Sequence, residues 1–248
     1  MLSKSQISFV NALHLKKNRK DQGLFLVEGI KSISEFINSK YQVDSIYCSG
    51  SSLKKFNDLS PSIKLHEISE PELKKISTLN TPQDALAIIR IPEKTPIRSE
   101  SFLDKYTLIL DGIQDPGNLG TIIRTADWFG FSQIVCSEDT VEAFNPKVVQ
   151  ASMGSLSRMA VHYVNLPSFI QELQLPVYGA LLEGESVYTA KFDRPGLIVL
   201  GNEGKGISNG VIELITDTIT IPKFGNAESL NVAVSASIIC SEIKRRGL

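Results

Sequence analysis

The sequence is poor in the residues that build metal centres, disulfide scaffolds and membrane spans. Its three cysteines, Cys48, Cys136 and Cys240, are far apart, odd in number and without a C-x-x-C pair. That pattern speaks against a disulfide framework and fits a reducing, cytoplasmic setting. The three histidines, His14, His66 and His162, are isolated, so no metal-ligand spacing exists and no metal is expected. No apolar run approaches the length of a membrane span, and MLSKSQISFVNALHLKK alternates polar and apolar residues without a signal-peptide core. No membrane partner is expected. Charge of one sign is missing too: 26 basic and 27 acidic residues leave a formal net charge of −1. Any contact with nucleic acid must therefore come from a local patch.

What is present is an ordinary globular composition, 42% hydrophobic and 21% charged over 248 residues, enough chain for one large domain or two smaller ones. Residues 1 to about 20 read as one helix with a basic end, Lys16, Lys17, Arg19 and Lys20; a charge run of this kind is usually a solvated helix face. GLFLVEGIKSISEFI reads as a strand, Leu24 to Val27, turning at Glu28-Gly29 into a helix. QVDSIYCSG, SIKLHEIS and ALAIIRI (85–91) read as further strands, and ELKKIST as a helix after Pro71. Residues 92–101, PEKTPIRSES, have two prolines, mixed charge and no hydrophobic period, the composition of a linker. They divide the chain into an N-terminal α/β module, 1–95, and a larger domain, 96–248.

Beyond the linker the alternation becomes regular. YTLILD, SQIVCS, RMAVHYV, PVYGALLE, GLIVLG and TITI are strand-like; NLGTIIRTADWFG, PKVVQASMGS, PSFIQELQ, VIELI and the segment from Ser229 are helix-like. Alternating strands and helices predict a mostly parallel sheet covered on both faces.

Three strand-to-helix turns in this half carry the chemistry-bearing residues. In LILDGIQDPGNLGTIIRTADWFG a buried strand ends at Asp111 and a helix starts near Asn118, which can cap it. Arg124 follows two turns later between Ile123 and Ala126. An arginine so flanked is costly to bury unless it meets an anion, and the plainer alternative is a surface salt bridge. LIVLGNEGKGIS places Gly201, Gly204 and Gly206 after a strand, and matches neither the Walker spacing nor G-x-G-x-x-G. IPKFGNAESLNVAVSASIIC leads from a strand through Gly225-Asn226 into a helix from Ser229, whose polar stripe, Ser229, Asn231, Ser235, Ala236 and Ser237, is unusually small. Ligands of open α/β folds sit at the carboxyl ends of strands, where all three turns lie.

Taken together, DPGNLGTIIRTA, LGNEGKGIS and IPKFGNAESLNVAVSASI resemble, in order and spacing, the three motifs of the SpoU/TrmH family in the SPOUT methyltransferase superfamily. The likeness covers roughly residues 105–246, and GLFLVEGIKSI resembles the substrate-binding module of the ribosomal-RNA branch. It implies a SPOUT domain whose C-terminal chain forms a deep trefoil knot, where pattern reading alone predicts an unknotted doubly wound sheet. It implies S-adenosylmethionine as cofactor, RNA as partner and a homodimer. The reaction it implies is methyl transfer to a ribose 2′-hydroxyl, in 23S-type ribosomal RNA; transfer RNA, or a non-catalytic RNA-binding or ribosome-assembly role, are the alternatives.

By motif match, Leu200, Gly201, Ile221 and Leu230 would line the cofactor pocket. Arg124 would be the main catalytic residue, either as base or as holder of a substrate phosphate and stabiliser of the forming alkoxide. A guanidinium holds its proton tightly, which favours the second. Asn118 would orient Arg124 and the substrate, and Glu203, Ser229 and Asn231 would complete the site by hydrogen bonding. Lys16, Lys17, Arg19 and Lys20 would grip RNA phosphates.

Overall fold

A computed structural model describes residues 1–56, 59–93 and 96–247. The chain forms two compact units, residues 1–94 with 144–157, and residues 95–143 with 158–248. Lys94 and Thr95, inside the expected linker, lie outside the described residues; the rest of that stretch includes a short 3-10 turn, Ser99–Phe102, whose Phe102 is buried.

The first unit has helices α1 (Lys4–Ala12) and α2 (Lys16–Gln22), strand β1 (Leu24–Glu28), α3 (Ile30–Ile37), β2 (Val43–Cys48), β3 (Lys64–Glu67), α4 (Glu70–Ile76) and β4 (Ala85–Arg90). Its four-stranded sheet runs β1-β4-β2-β3, with β4 antiparallel to both neighbours and β3 parallel to β2. Val10, Leu13, Leu26, Leu73, Ile76 and Ile88 form the core beneath it. The segment 144–157 joins this unit through Phe144, whose ring centre lies 4.6 Å from that of Phe25 in a cluster with Phe36 and Tyr41.

The expected single N-terminal helix is two helices, and the reason is Arg19. It is 2% exposed, and its Nη1 donates to the Leu13 and His14 carbonyls at 2.9 and 2.8 Å. The guanidinium thus satisfies carbonyls left open where α1 ends. Gly23, at φ +63°, then closes α2 in the left-handed conformation that glycine adopts without strain.

The second unit is built on β5 (Thr107–Asp111), α5 (Pro116–Trp128), β6 (Gln133–Ser137), β7 (Ala160–Val164), α7 (Leu166–Leu173), β8 (Val177–Ser186), β9 (Leu197–Gly201), α8 (Asn209–Ile212), β10 (Asp217–Thr220) and α9 (Val232–Arg246); α6 (Pro146–Ser152) falls in the segment that belongs to the first unit. The six strands run β10-β8-β9-β5-β6-β7, every pair parallel. TLILD and QIVCS are buried along their whole length, as strands covered on both faces must be. Helices α5 and α9 lie side by side, and α9 also touches β9.

Candidate active site

Strands β5 and β9 are parallel neighbours with Asp111 opposite Gly201, so the turns that follow them leave the same edge of the sheet. Two side chains weld those turns together. Asp111 accepts the Ser208 amide through Oδ2 at 2.7 Å. The Asn202 Nδ2 donates to the Gly112 carbonyl at 2.6 Å, while its Oδ1 accepts the amides of Gly204 and Lys205, both at 2.9 Å. Asn202, which the sequence did not single out, is therefore the staple of the glycine-rich turn. An Asx turn of this kind is common chemistry for asparagine, and its place after the strand in LGNEG was the available signal.

Gly201 owes its identity to the same turn. A Cβ there would sit 2.4 Å from the Gly206 carbonyl carbon and the Ile207 nitrogen. Its bare backbone is needed by the returning chain.

Helix α5 begins at Pro116, not at Asn118, and its N-cap is Asp115, whose Oδ1 accepts the Asn118 amide at 2.8 Å. Proline at the first helical position fits, since its missing N–H would have no intrahelical partner there. The Asn118 side chain is thereby left for another task. Its Nδ2 donates to Glu203 Oε1 at 2.7 Å, and its Oδ1 accepts from Asn231 Nδ2 at 2.9 Å. Asn231, not Ser229, caps the last helix: α9 starts at Val232, and Asn231 Oδ1 accepts the amides of Ala233 and Val234. Glu203, Asn118 and Asn231 therefore form one exposed bridge across all three turns.

Arg124 lies about 9 Å along α5 from Asn118 at the usual helical rise. It is exposed rather than buried, and among the described residues it makes no ion pair or hydrogen bond. Among the described residues no hydrogen bond joins it to Asn118, whose amide donates to Glu203 and accepts from Asn231. Ser229 is exposed on the turn before α9.

The expected cofactor residues divide. The Leu200 side chain, 2% exposed, belongs to the core, so only its backbone is near the sheet edge. Ile221 is half-buried and Leu230 is 50% exposed. Among the described residues, no hydrogen bond engages the backbone of residues 222–230, nearly all of which are exposed. A turn with free amides and carbonyls between two accessible aliphatic side chains fits an adenosine, whose ring faces are apolar and whose edges are polar. A cavity of about 700 Å³ lies elsewhere, near the start of β8 and along β10, lined by Pro176, Tyr178 and Thr218 among others and by none of the motif residues.

Of the expected RNA-gripping residues, Lys16, Lys17 and Lys20 are exposed on α2. Arg19 is corrected: its charge is consumed by the backbone of its own unit.

Known proteins resemble this chain along both of its halves. The family model described as the SpoU rRNA methylase family matches residues 105–241, and that of the MRM3-like substrate-binding domain matches residues 4–87. The 23S rRNA (guanosine(2553)-2′-O)-methyltransferase RlmP of Bacillus subtilis is 33% identical over 94% of this chain and 93% of its own. A solved Porphyromonas gingivalis chain, assigned to the TrmH family of RNA methyltransferases, is 39% identical with a TM-score of 0.88, covering 99% of both chains. The SpoU methyltransferase AviRb of Streptomyces viridochromogenes, solved with AdoMet, is 25% identical with a TM-score of 0.84, covering 99% of this chain and 98% of that one.

Proposed function

The chain belongs to the SpoU rRNA methylase family, and from that premise we propose that it methylates a ribose 2′-hydroxyl in 23S-type ribosomal RNA, using S-adenosylmethionine. The observation that carries the reading is the Glu203–Asn118–Asn231 bridge, which joins the three motif turns through side chains. When bound, the cofactor supplies a methyl group already activated by its sulfonium centre.

The chain's own residues have the remaining work. Gly201, Ile221, Leu230 and the free backbone of residues 222–230 hold the adenosine. The bridge fixes the spacing of the three turns, and Ser229 offers a hydroxyl beside it. Arg124 presents an unpaired guanidinium to RNA. A guanidinium does not readily give up its proton, so Arg124 holds a substrate phosphate and offsets negative charge growing on the 2′-oxygen.

The first unit grips RNA through phosphates, with Lys16, Lys17 and Lys20 as the exposed cations of α2. The working form is a homodimer; Leu230 and Val234, 50% and 47% exposed at the start of α9, are the kind of apolar surface that a second copy covers. The trefoil threading belongs to the same reading, supported by the return of the chain from β10 at the sheet's edge to α9 beside α5 and β9. The setting is cytoplasmic, in keeping with three free, buried cysteines.

The test is transfer of a labelled methyl group to total RNA from cells that lack the protein, followed by nuclease digestion and nucleoside mass spectrometry. The expected product is a 2′-O-methyl nucleoside confined to large ribosomal RNA. A methylated base, or label in transfer RNA alone, would overturn the assignment.

A further inference from the structure

The chain has a single tryptophan, Trp128, and it is 84% exposed. An indole is the costliest apolar group to leave in water, and the rest of its helix is well packed: Leu119, Ile122, Ile123 and Ala126 are all buried. Trp128 is one turn beyond Arg124, so the two side chains share a face of α5, with exposed Thr121 on the same stripe.

One more cation stands near the end of that helix, and the carboxylate next to Trp128 in sequence is neutralised. Arg158 forks onto Asp127 in an ion pair of 2.7 Å. Lys244 stands 5.2 Å from the ring centre of Phe131 and close to Gly130, just past the end of α5. Helices α5 and α9 run alongside each other in register, joined at Asn118–Asn231 and again at Thr125–Ser237. Asn118 and Trp128 are about 15 Å apart along the axis of α5, with Arg124 between them.

We propose that Trp128 is a stacking platform for an unpaired base of the RNA strand that carries the target ribose, with Arg124 on an intervening phosphate. This rests on the RNA methyltransferase reading. A cation and an indole four residues apart on a helix match the two chemistries of a nucleotide, a charged phosphate and a flat π face. The ribose enters at the Asn118 end, and the strand runs along α5 toward its C-terminus. Recognition of this kind needs a single-stranded or looped substrate, since paired bases offer no free face. It tolerates any base identity at the stacked position.

Because Trp128 is the only tryptophan, its fluorescence reports this site alone. Titration with a short single-stranded oligoribonucleotide of mixed sequence is expected to quench the emission, and a duplex of the same sequence to leave it unchanged. In methyl transfer, Trp128→Ala is expected to raise KM for RNA about tenfold or more, and Trp128→Phe by a smaller factor, with the loss carried by KM rather than kcat. Emission that responds to dilution of the protein but not to RNA would make Trp128 a contact between copies and overturn the proposal. So would an unchanged KM in Trp128→Ala. If the wild-type protein methylates no RNA at all, the functional reading itself falls and the proposal with it; wild-type methylation beside an unaffected Trp128→Ala sinks the proposal alone.

Discussion

Asn231 caps its own helix with one end of its amide and holds Asn118 with the other, donating from Nδ2 to Asn118 Oδ1 across 2.9 Å. Asn118 passes the connection on to Glu203 at 2.7 Å. An amide suits the middle of such a chain because it accepts at one end and donates at the other. Asn118→Asp removes the donor and sets a second carboxylate against Glu203, whereas Asn118→Ala leaves a gap. Methyl transfer is expected to fall about a hundredfold in the alanine variant, the scale on which misplaced catalytic groups lose rate. The aspartate variant is expected to fall further at pH 8 and to recover part of that difference toward pH 5, as one carboxyl takes up a proton. Equal activities of the two variants at both pH values would show that the bridge does not transmit geometry.

Arg124 offers a different test, because no described side chain or backbone group holds it. Arg124→Lys keeps the charge and loses the fork, so it separates bidentate phosphate holding from mere positive potential. Activity is expected to drop by about 10²- to 10³-fold in Arg124→Lys and Arg124→Ala alike, the magnitude seen when an oxyanion donor is removed. Calorimetry should find cofactor binding unchanged in both. Full activity in the lysine variant would reduce Arg124 to a point charge.

How far these positions were legible in the sequence depends on how local their determinants are. The five-residue strands TLILD, QIVCS and LIVLG were readable because burial on both faces of a parallel sheet demands a run of apolar residues at their centres. The helix starts were readable only to within a few residues. Asp115 and Asn118 are both good caps, as are Ser229 and Asn231, and the choice between them was made by the long-range bond that Asn118 and Asn231 share. Arg19 was misread because a run of basic residues gives no sign of which side chain turns inward; that depended on where α1 ends. The attachment of residues 144–157 to the first unit was not legible at all, since it rests on Phe144 meeting Phe25, 119 positions away in sequence.

Part of the acid sensitivity should trace to the end of α9, the rest to Glu72 on α4, whose carboxyl is held as low by the amides of Ser69 and Leu2. Glu242 accepts from Arg245 and Arg246, and those bonds hold its carboxyl down to about 2 from an ordinary 4.5. A carboxylate depressed by folding contributes stability that is complete above its unfolded pKa and is lost as pH falls through the folded one. The loss therefore spans about pH 4.5 to 2. Arg246 also donates to the Val187 carbonyl at 2.8 Å and lies over Phe192, so the loop after β8 is anchored through the same group. Thermal melts of Glu242→Gln should start lower at pH 7 and decline less between pH 4.5 and 2 than those of the wild type. Parallel declines would place the acid-sensitive group elsewhere.

The basic end of the first unit separates two roles that its composition had merged. Lys16, Lys17 and Lys20 are exposed on α2, so replacing all three by glutamine removes their charge without touching the core. The slope of log affinity against log salt for single-stranded RNA should flatten by about 0.7 for each phosphate that is no longer neutralised, while urea stability stays within ~0.5 kcal/mol. Arg19→Ala should behave in the opposite way. It strands the Leu13 and His14 carbonyls in a buried setting, at a cost of about 1–3 kcal/mol in urea unfolding, and leaves the salt slope as it was. If Arg19→Ala instead flattens the slope at unchanged stability, its guanidinium reaches RNA, and the division between gripping lysines and a structural arginine fails.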